Sequence, residues 1–204
     1  MQKGRIEAFS DGVMGVAITL LVLDLHLDVS SSTGLASQLR ERWPSFAAYV
    51  MSFFVIGAIW LNHYHLFRLA TDIDHHVMIY NLLLLLFVTT IPFTTAAYAG
   101  YLLEGADDAR LAVILYCAVM EGAAISLMLM LERLLRAGLV GEGLSSQQIR
   151  LLRVNYLWRI AVYLMIMAVG LVKPLMMLVM YVVIIAVRIR PLLKSLKLDT
   201  LPGP

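Results

Sequence analysis

Arg5-Ile6-Glu7-Ala8-Phe9-Ser10-Asp11-Gly12, continuing into Val13-Met14-Gly15-Val16-Ala17-Ile18-Thr19-Leu20-Leu21-Val22-Leu23, is the stretch that decides the fold. From Val13 to Leu23 it reads as a bilayer helix, yet a hydroxyl and a carboxylate, Ser10 and Asp11, stand inside the same segment. An Asp at a helix centre costs about 2.5 to 3.5 kcal/mol on insertion scales, and such residues face a bundle interior or a water-filled path. Asp11 therefore predicts partners on neighbouring helices.

Composition agrees with that opening. The chain has 204 residues, 61% of them hydrophobic and 15% charged, with a mean hydropathy of +0.83. This balance describes an all-α integral membrane protein and excludes an ordinary soluble domain. A net charge of +2 with dispersed basic residues argues against nucleic acid as a partner. The single cysteine, Cys117, reads as a small buried hydrophobe, and no cluster suggests a metal or another cofactor.

Six spans of about 20 apolar residues can be marked, bounded by charges, glycines or prolines: 5–25, 44–68, 78–102, 110–133, 148–171 and 174–189. Residues 1–197 read as one transmembrane domain, and 198–204 as a short cytoplasmic tail. The first span is expected to be retained rather than cleaved as a leader, because Asp11 interrupts it and no small-residue cleavage site follows. With the amino terminus inside, Lys3, Arg5, Arg68, Arg133, Arg136, Arg150, Arg153, Arg188, Arg190, Lys194 and Lys197 are cytoplasmic. Only Arg40, Arg42, Arg110 and Lys173 then lie outside. The bias predicts both termini in the cytoplasm of a multi-pass plasma-membrane protein. The outer loops carry the acids Asp28, Glu104, Asp107 and Asp108.

Pro44 suits the first turn of the second span. Pro92 falls inside the third and predicts a kink, with Thr89, Thr90, Thr94 and Thr95 near enough to satisfy loosened backbone. The stretch Gly141 to Ser146 reads as a loop between the fourth and fifth spans.

Depth arguments bring the intramembrane polar residues together. The second span descends towards the level of Asp11 with Trp60, Asn62, His63 and His65, and the third climbs from the same side with Asn81. Ser10, Asp11, His63 and Asn81 are thus expected to form one buried cluster on three helices, which would fix the first helix in rotation and register. The plainer reading makes the histidines interfacial and Asn81 a local packing residue. Glu121 and Arg159 sit near the centres of the fourth and fifth spans and predict an intramembrane ion pair. It reads as a latch between scaffold helices or as a proton or ion relay.

Val16, Thr19 and Leu23 share one stripe of the first helix, with Leu20 beside it. In a monomer this is ordinary core or lipid-facing surface. Around a symmetry axis it becomes stacked rings of Val, Thr and Leu, a constriction able to gate by dewetting or by size.

The set Arg5, Phe9, Ser10 and Asp11, then 17–23, then Trp60 and His63 with Phe67, then Asn81 leading to Pro92-Phe93, resembles the endolysosomal potassium channel family known as transmembrane protein 175. The likeness covers the first three spans closely and the rest by topology. A single six-helix unit is similar to the prokaryotic members. The resemblance implies a homotetramer with the first helix lining a central pore and no TVGYG filter. It places the apolar constriction on Val16, the threonine layer on Thr19 and the next apolar ring on Leu23, with Leu20 adjoining and permeant K+ near Thr19. It places the supporting network on Ser10, Asp11, Trp60, His63 and Asn81. Val16 is smaller than the Ile or Leu usual at its ring, and Tyr64 and His65 replace the His and Arg that many prokaryotic relatives have after His63.

The function so implied is passive conduction of K+ with moderate selectivity over Na+, in a bilayer, with no enzymatic step and no cofactor. The principal rival is a proton-coupled secondary transporter using Asp11, His63, Glu121 and Arg159, although no inverted repeat is visible. An intramembrane enzyme is disfavoured because HExxH and GxSxG are missing and no two aspartates pair at matching depth in the membrane.

Overall fold

A computed structural model describes residues 3–27, 34–141 and 145–198, with side chains described through 185 and at 187. The expectations for Asp28, for positions 142–144 and for the tail from 199 onward lie outside the described residues, as do the side chains of Arg188, Arg190, Lys194 and Lys197.

The chain is all helical: α1 (Lys3–Leu20), a 3-10 turn (Leu21–Asp24), α2 (Leu35–Glu41), α3 (Trp43–Leu69), α4 (His75–Tyr101), α5 (Ala106–Arg136), α6 (Ser146–Val172) and α7 (Pro174–Leu198). Among the described residues, five segments are long and apolar enough to cross a membrane: Lys3–Asp24, α3, α4, α5 and α6. In α7 the apolar stretch within the described residues is Pro174–Ile185, shorter than a span. Short α2, in the first loop, was not expected from the sequence.

Local chemistry explains the helix ends. Pro44 occupies the first turn of α3, where a missing N–H costs nothing. Asp74 caps α4 by accepting from the Val77 N–H at 2.9 Å, and Ser145 and Gln148 form a capping box at the start of α6. Asp107 and Asp108 in the first turn of α5, with Arg133 and Arg136 in its last, complement the helix dipole. Gly138 follows α5 with φ of 65°, and the Leu139 N–H reaches back to the Leu134 carbonyl at 3.0 Å. This Schellman geometry favours glycine at that position.

The core lies among α3, α4, α5 and the buried face of α1, with α6 and α7 packed outside. α4 and α5 approach closely because Gly122 leaves room for the Phe87 ring: a Cβ there would stand 2.3 Å from it. α4 runs unbroken through Pro92. The threonine hydroxyls around it bond to the carbonyls of Leu85, Leu86, Thr90 and Ile91.

At the end of the bundle that holds the α1 start, an isolated antiparallel bridge joins Ala70 to Val140. Lys3 Nζ donates to the Ala70 carbonyl at 2.7 Å, so α1, the α3–α4 turn and the α5–α6 turn meet there. Beside them Arg133 binds Asp74 at 2.6 Å, and Glu132 takes both Arg153 Nε and Nη2, at 2.7 and 3.2 Å. Burial works against charging Asp74, but the Val77 N–H and Arg133 outweigh it and hold its carboxyl below the usual carboxylate range.

Candidate functional site

α1 has two faces. Ile6, Ser10, Met14, Ala17 and Leu21 are spaced by three and four and are all buried against α3 and α4. Phe9, Val16, Leu20 and Leu23 are exposed on the single chain, with Val16 57% exposed, and Arg5, Asp11 and Thr19 are exposed too. Gly12 and Gly15 lie on this side with open space where a Cβ would stand. The 3-10 turn that follows α1 carries the exposed Leu23 beyond the exposed Leu20. Thr19 donates its hydroxyl hydrogen to the Val16 carbonyl at 2.8 Å, leaving its oxygen lone pairs outward.

Three of the expected polar partners meet behind α1. Ser10 donates to the Ile6 carbonyl at 2.9 Å and accepts from Asn81 Nδ2 at 2.9 Å. The Asn81 amide oxygen, being an acceptor, then requires His63 Nε2 to be the protonated nitrogen across their 2.9 Å contact. All three residues are buried, and the His63 ring lies 4.2 Å from that of Phe67. The chain Ile6–Ser10–Asn81–His63 thus ties α1 to α4 and α4 to α3. A rotation of α1 would break its first link.

Asp11 joins a different partner. Its Oδ1 accepts from the Trp60 indole N–H at 2.8 Å, and it stays exposed rather than entering the Ser10–Asn81–His63 chain. The physical reason is angular: Ser10 and Asp11 are about 100° apart on a helix, so one faces the bundle while the other turns to its edge. Trp60 stacks on Tyr64 at 6.1 Å. Asn62 bonds within its own helix, to the Ala58 carbonyl, and His65 lies beside Tyr64 on the exposed side of α3.

Glu121 and Arg159 are not brought together. Arg159 lies over the Tyr156 ring at 4.5 Å, while Glu121 Oε2 is buried without a hydrogen-bond partner among the described residues. Register accounts for this. α5 and α6 are antiparallel and level at Glu132 and Arg153. Stepping back along α5 from Glu132 therefore brings Glu121 opposite Leu164, and Arg159 sits roughly 7.5 Å away along the axis. The residues facing Glu121 are accordingly Tyr163, Leu164 and Met167.

A second buried hydroxyl network was missed by the sequence reading. Thr95 Oγ1 lies 2.7 Å from Ser52 Oγ, which lies 3.1 Å from the Tyr116 hydroxyl, joining α4, α3 and α5. Ser52 is a lone hydroxyl in an apolar run, and its depth relative to Thr95 is the signal that could have found it. Among the described residues, no three His, Cys, Asp or Glu side chains gather as a metal site would require.

With this geometry in view, similarity to known proteins is informative. The family described as "Endosomal/lysosomal potassium channel TMEM175" matches residues 5–92, the segment that holds α1, the Ser10–Asn81–His63 chain and Trp60. A protein of Streptomyces collinus named a potassium channel is 41% identical over 138 residues, covering 67% of this chain and 66% of that protein. The match thus spans just under two thirds of that relative's length. The rat protein named endosomal/lysosomal proton channel TMEM175 is 31% identical over 134 residues, 61% of this chain and 27% of its own length. Among solved structures, the crystal structure of a lysosomal potassium-selective channel TMEM175 homolog from Chamaesiphon minutus aligns with a TM-score of 0.81 at 32% identity. That alignment covers 92% of this chain and 97% of the other.

Proposed function

The chain belongs to the endosomal/lysosomal potassium channel TMEM175 family, a family of ion channels and not of enzymes, and on that footing we propose that it conducts K+ passively across the plasma membrane. In this reading four copies assemble with α1 around a central pore, and α7 completes six spans per chain. Both termini then face the cytoplasm. Conduction of this kind needs no cofactor.

The observation that carries the proposal is the division of α1. One face is fixed to α3 and α4 by packing and by the Ser10–Asn81–His63 chain, and the other presents branched apolar side chains and one hydroxyl with no cover from the described residues of the chain. Four such faces about an axis would form rings of Val16, Thr19, Leu20 and Leu23. K+ releases its water more readily than Na+, so an apolar neck opposes Na+ more, and four Thr19 oxygens would replace part of the lost shell. Hydroxyls replace water less completely than carbonyl cages do, so selectivity is moderate.

Bilayer recordings of the purified protein test this. Unitary current steps are expected, with a K+ to Na+ permeability ratio that changes in Thr19→Ala and Val16→Ala. Unchanged ratios in both variants would refute the pore assignment. Saturating flux with steep proton dependence and no unitary steps would favour the proton-coupled transporter instead.

A further inference from the structure

Between α5 and α6 lies a cavity of about 320 Å3, at the small end of the roughly 300 to 1,000 Å3 typical of ligand pockets. Ile125, Leu164 and Met167 supply apolar wall, and Glu121 and Tyr163 supply the polar groups. Cys117 also borders it, with its thiol donated to the Met177 sulfur at 3.6 Å. Among the described residues, no Lys, Arg or His lines the space. Glu121 Oε2 is nevertheless buried there without a hydrogen-bond partner among the described residues, and the helix register carries Arg159 away to the Tyr156 ring.

We propose that this cavity binds a small amphiphile bearing a protonated amine, its hydrocarbon body against Ile125, Leu164 and Met167 and its ammonium donating to Glu121 Oε2. The charge logic selects the head group. A carboxylate among apolar walls gains most from a donor that also carries positive charge. A bare divalent cation is a poor occupant, because it takes six or more oxygens and finds one carboxyl group. Shape selects the body: the walls offer dispersion contacts and no further hydrogen-bonding pattern. Leu164 is 46% exposed on the single chain, so the cavity opens to the chain's surface and a ligand can enter there. α1 packs on α3 and α4 and not on α5 or α6, which makes the site separate from the exposed face of α1. Its occupancy can be read without any measurement of conduction.

The test uses the full chain in nanodiscs and a six-carbon alkylamine carrying an aliphatic diazirine. After photolysis and digestion, saturable labelling is expected on the peptides holding Ala118–Ile125 and Tyr163–Met167. Hexylamine should compete for it and 1-hexanol should not. Glu121→Gln should weaken labelling about tenfold or more, the effect of losing one charge-assisted hydrogen bond. Leu164→Trp, which fills the cavity and keeps the carboxylate, should abolish it while the protein's gel-filtration profile stays unchanged; this variant decides the matter if Glu121→Gln fails to fold. Labelling that never saturates, that spreads evenly over lipid-facing helices, that hexanol competes equally, or that survives in a folded Leu164→Trp variant would overturn the proposal.

Discussion

Removing the Asn81 amide should cost more than removing the Ser10 hydroxyl, for a reason visible in the direction of the hydrogen bonds. Ser10 spends its own hydrogen on the Ile6 carbonyl, so Ser10→Ala deletes one acceptor and leaves one Asn81 N–H without a partner. Asn81→Ala deletes that same contact and also strips the acceptor from the buried His63 N–H. A net hydrogen bond is worth about 0.5 to 1.5 kcal/mol, and an orphaned buried donor costs about 1 to 3 kcal/mol. Within membranes, measured side-chain couplings average about 0.6 and reach about 1.7 kcal/mol. Ser10→Ala is therefore expected to destabilise by about 1 kcal/mol and Asn81→Ala by about 2 to 4 kcal/mol. The double variant should fall short of additivity by about 0.6 to 1.7 kcal/mol. Reversible unfolding in mixed micelles, followed by tryptophan fluorescence, supplies all four corners of the cycle. Equal costs for the two single variants with full additivity would refute the bond directions and the coupling together.

Three further outcomes can be measured. Gly122→Ala places a Cβ 2.3 Å from the Phe87 ring and should cost about 1 to 3 kcal/mol as overpacking; Phe87→Leu in the same background should recover part of the lost melting temperature. Asp74 has its carboxyl held below the usual range, so its contribution to stability is complete above the ordinary carboxylate pKa and fades as pH falls through the lowered value. Melting temperatures recorded against pH should show that acid-side loss in the parent, and Asp74→Asn should flatten it. Trp60→Phe removes the indole N–H that binds Asp11; because the acid is exposed, the variant should fold with little change in stability, while the K+ to Na+ permeability ratio in bilayer recordings shifts, and an unchanged ratio would refute a role of that bond in orienting α1.

The parts of this structure legible in the sequence were those governed by short-range period and by depth. Val16, Thr19 and Leu23 share one stripe by helical spacing alone and are exposed together, and alternating span direction brings Asn81 and His63 to the level of Ser10. Which neighbour each polar group takes was less accessible. Adjacent residues point about 100° apart, and that angle separates Asp11, bound to Trp60, from the buried chain that starts at Ser10. Glu121 and Arg159 show the same lesson between helices. Counting inward from the span ends makes them level, but the ion pair of Glu132 with Arg153 sets the sliding register and shifts them apart. α2 has seven residues, too few for a periodic signal, and the bridge from Ala70 to Val140 joins positions with no pattern in common.

The hydrogen of Thr19 is committed to the Val16 carbonyl, and this has a consequence for the sign of charge the residue can greet. A hydroxyl with its proton held inside its own helix shows the outside only electron pairs, so in the proposed pore chloride or any other anion would meet repulsion where a cation would meet a ligand. Valence discrimination would then be built into the secondary structure itself, before ring size or dehydration has any say.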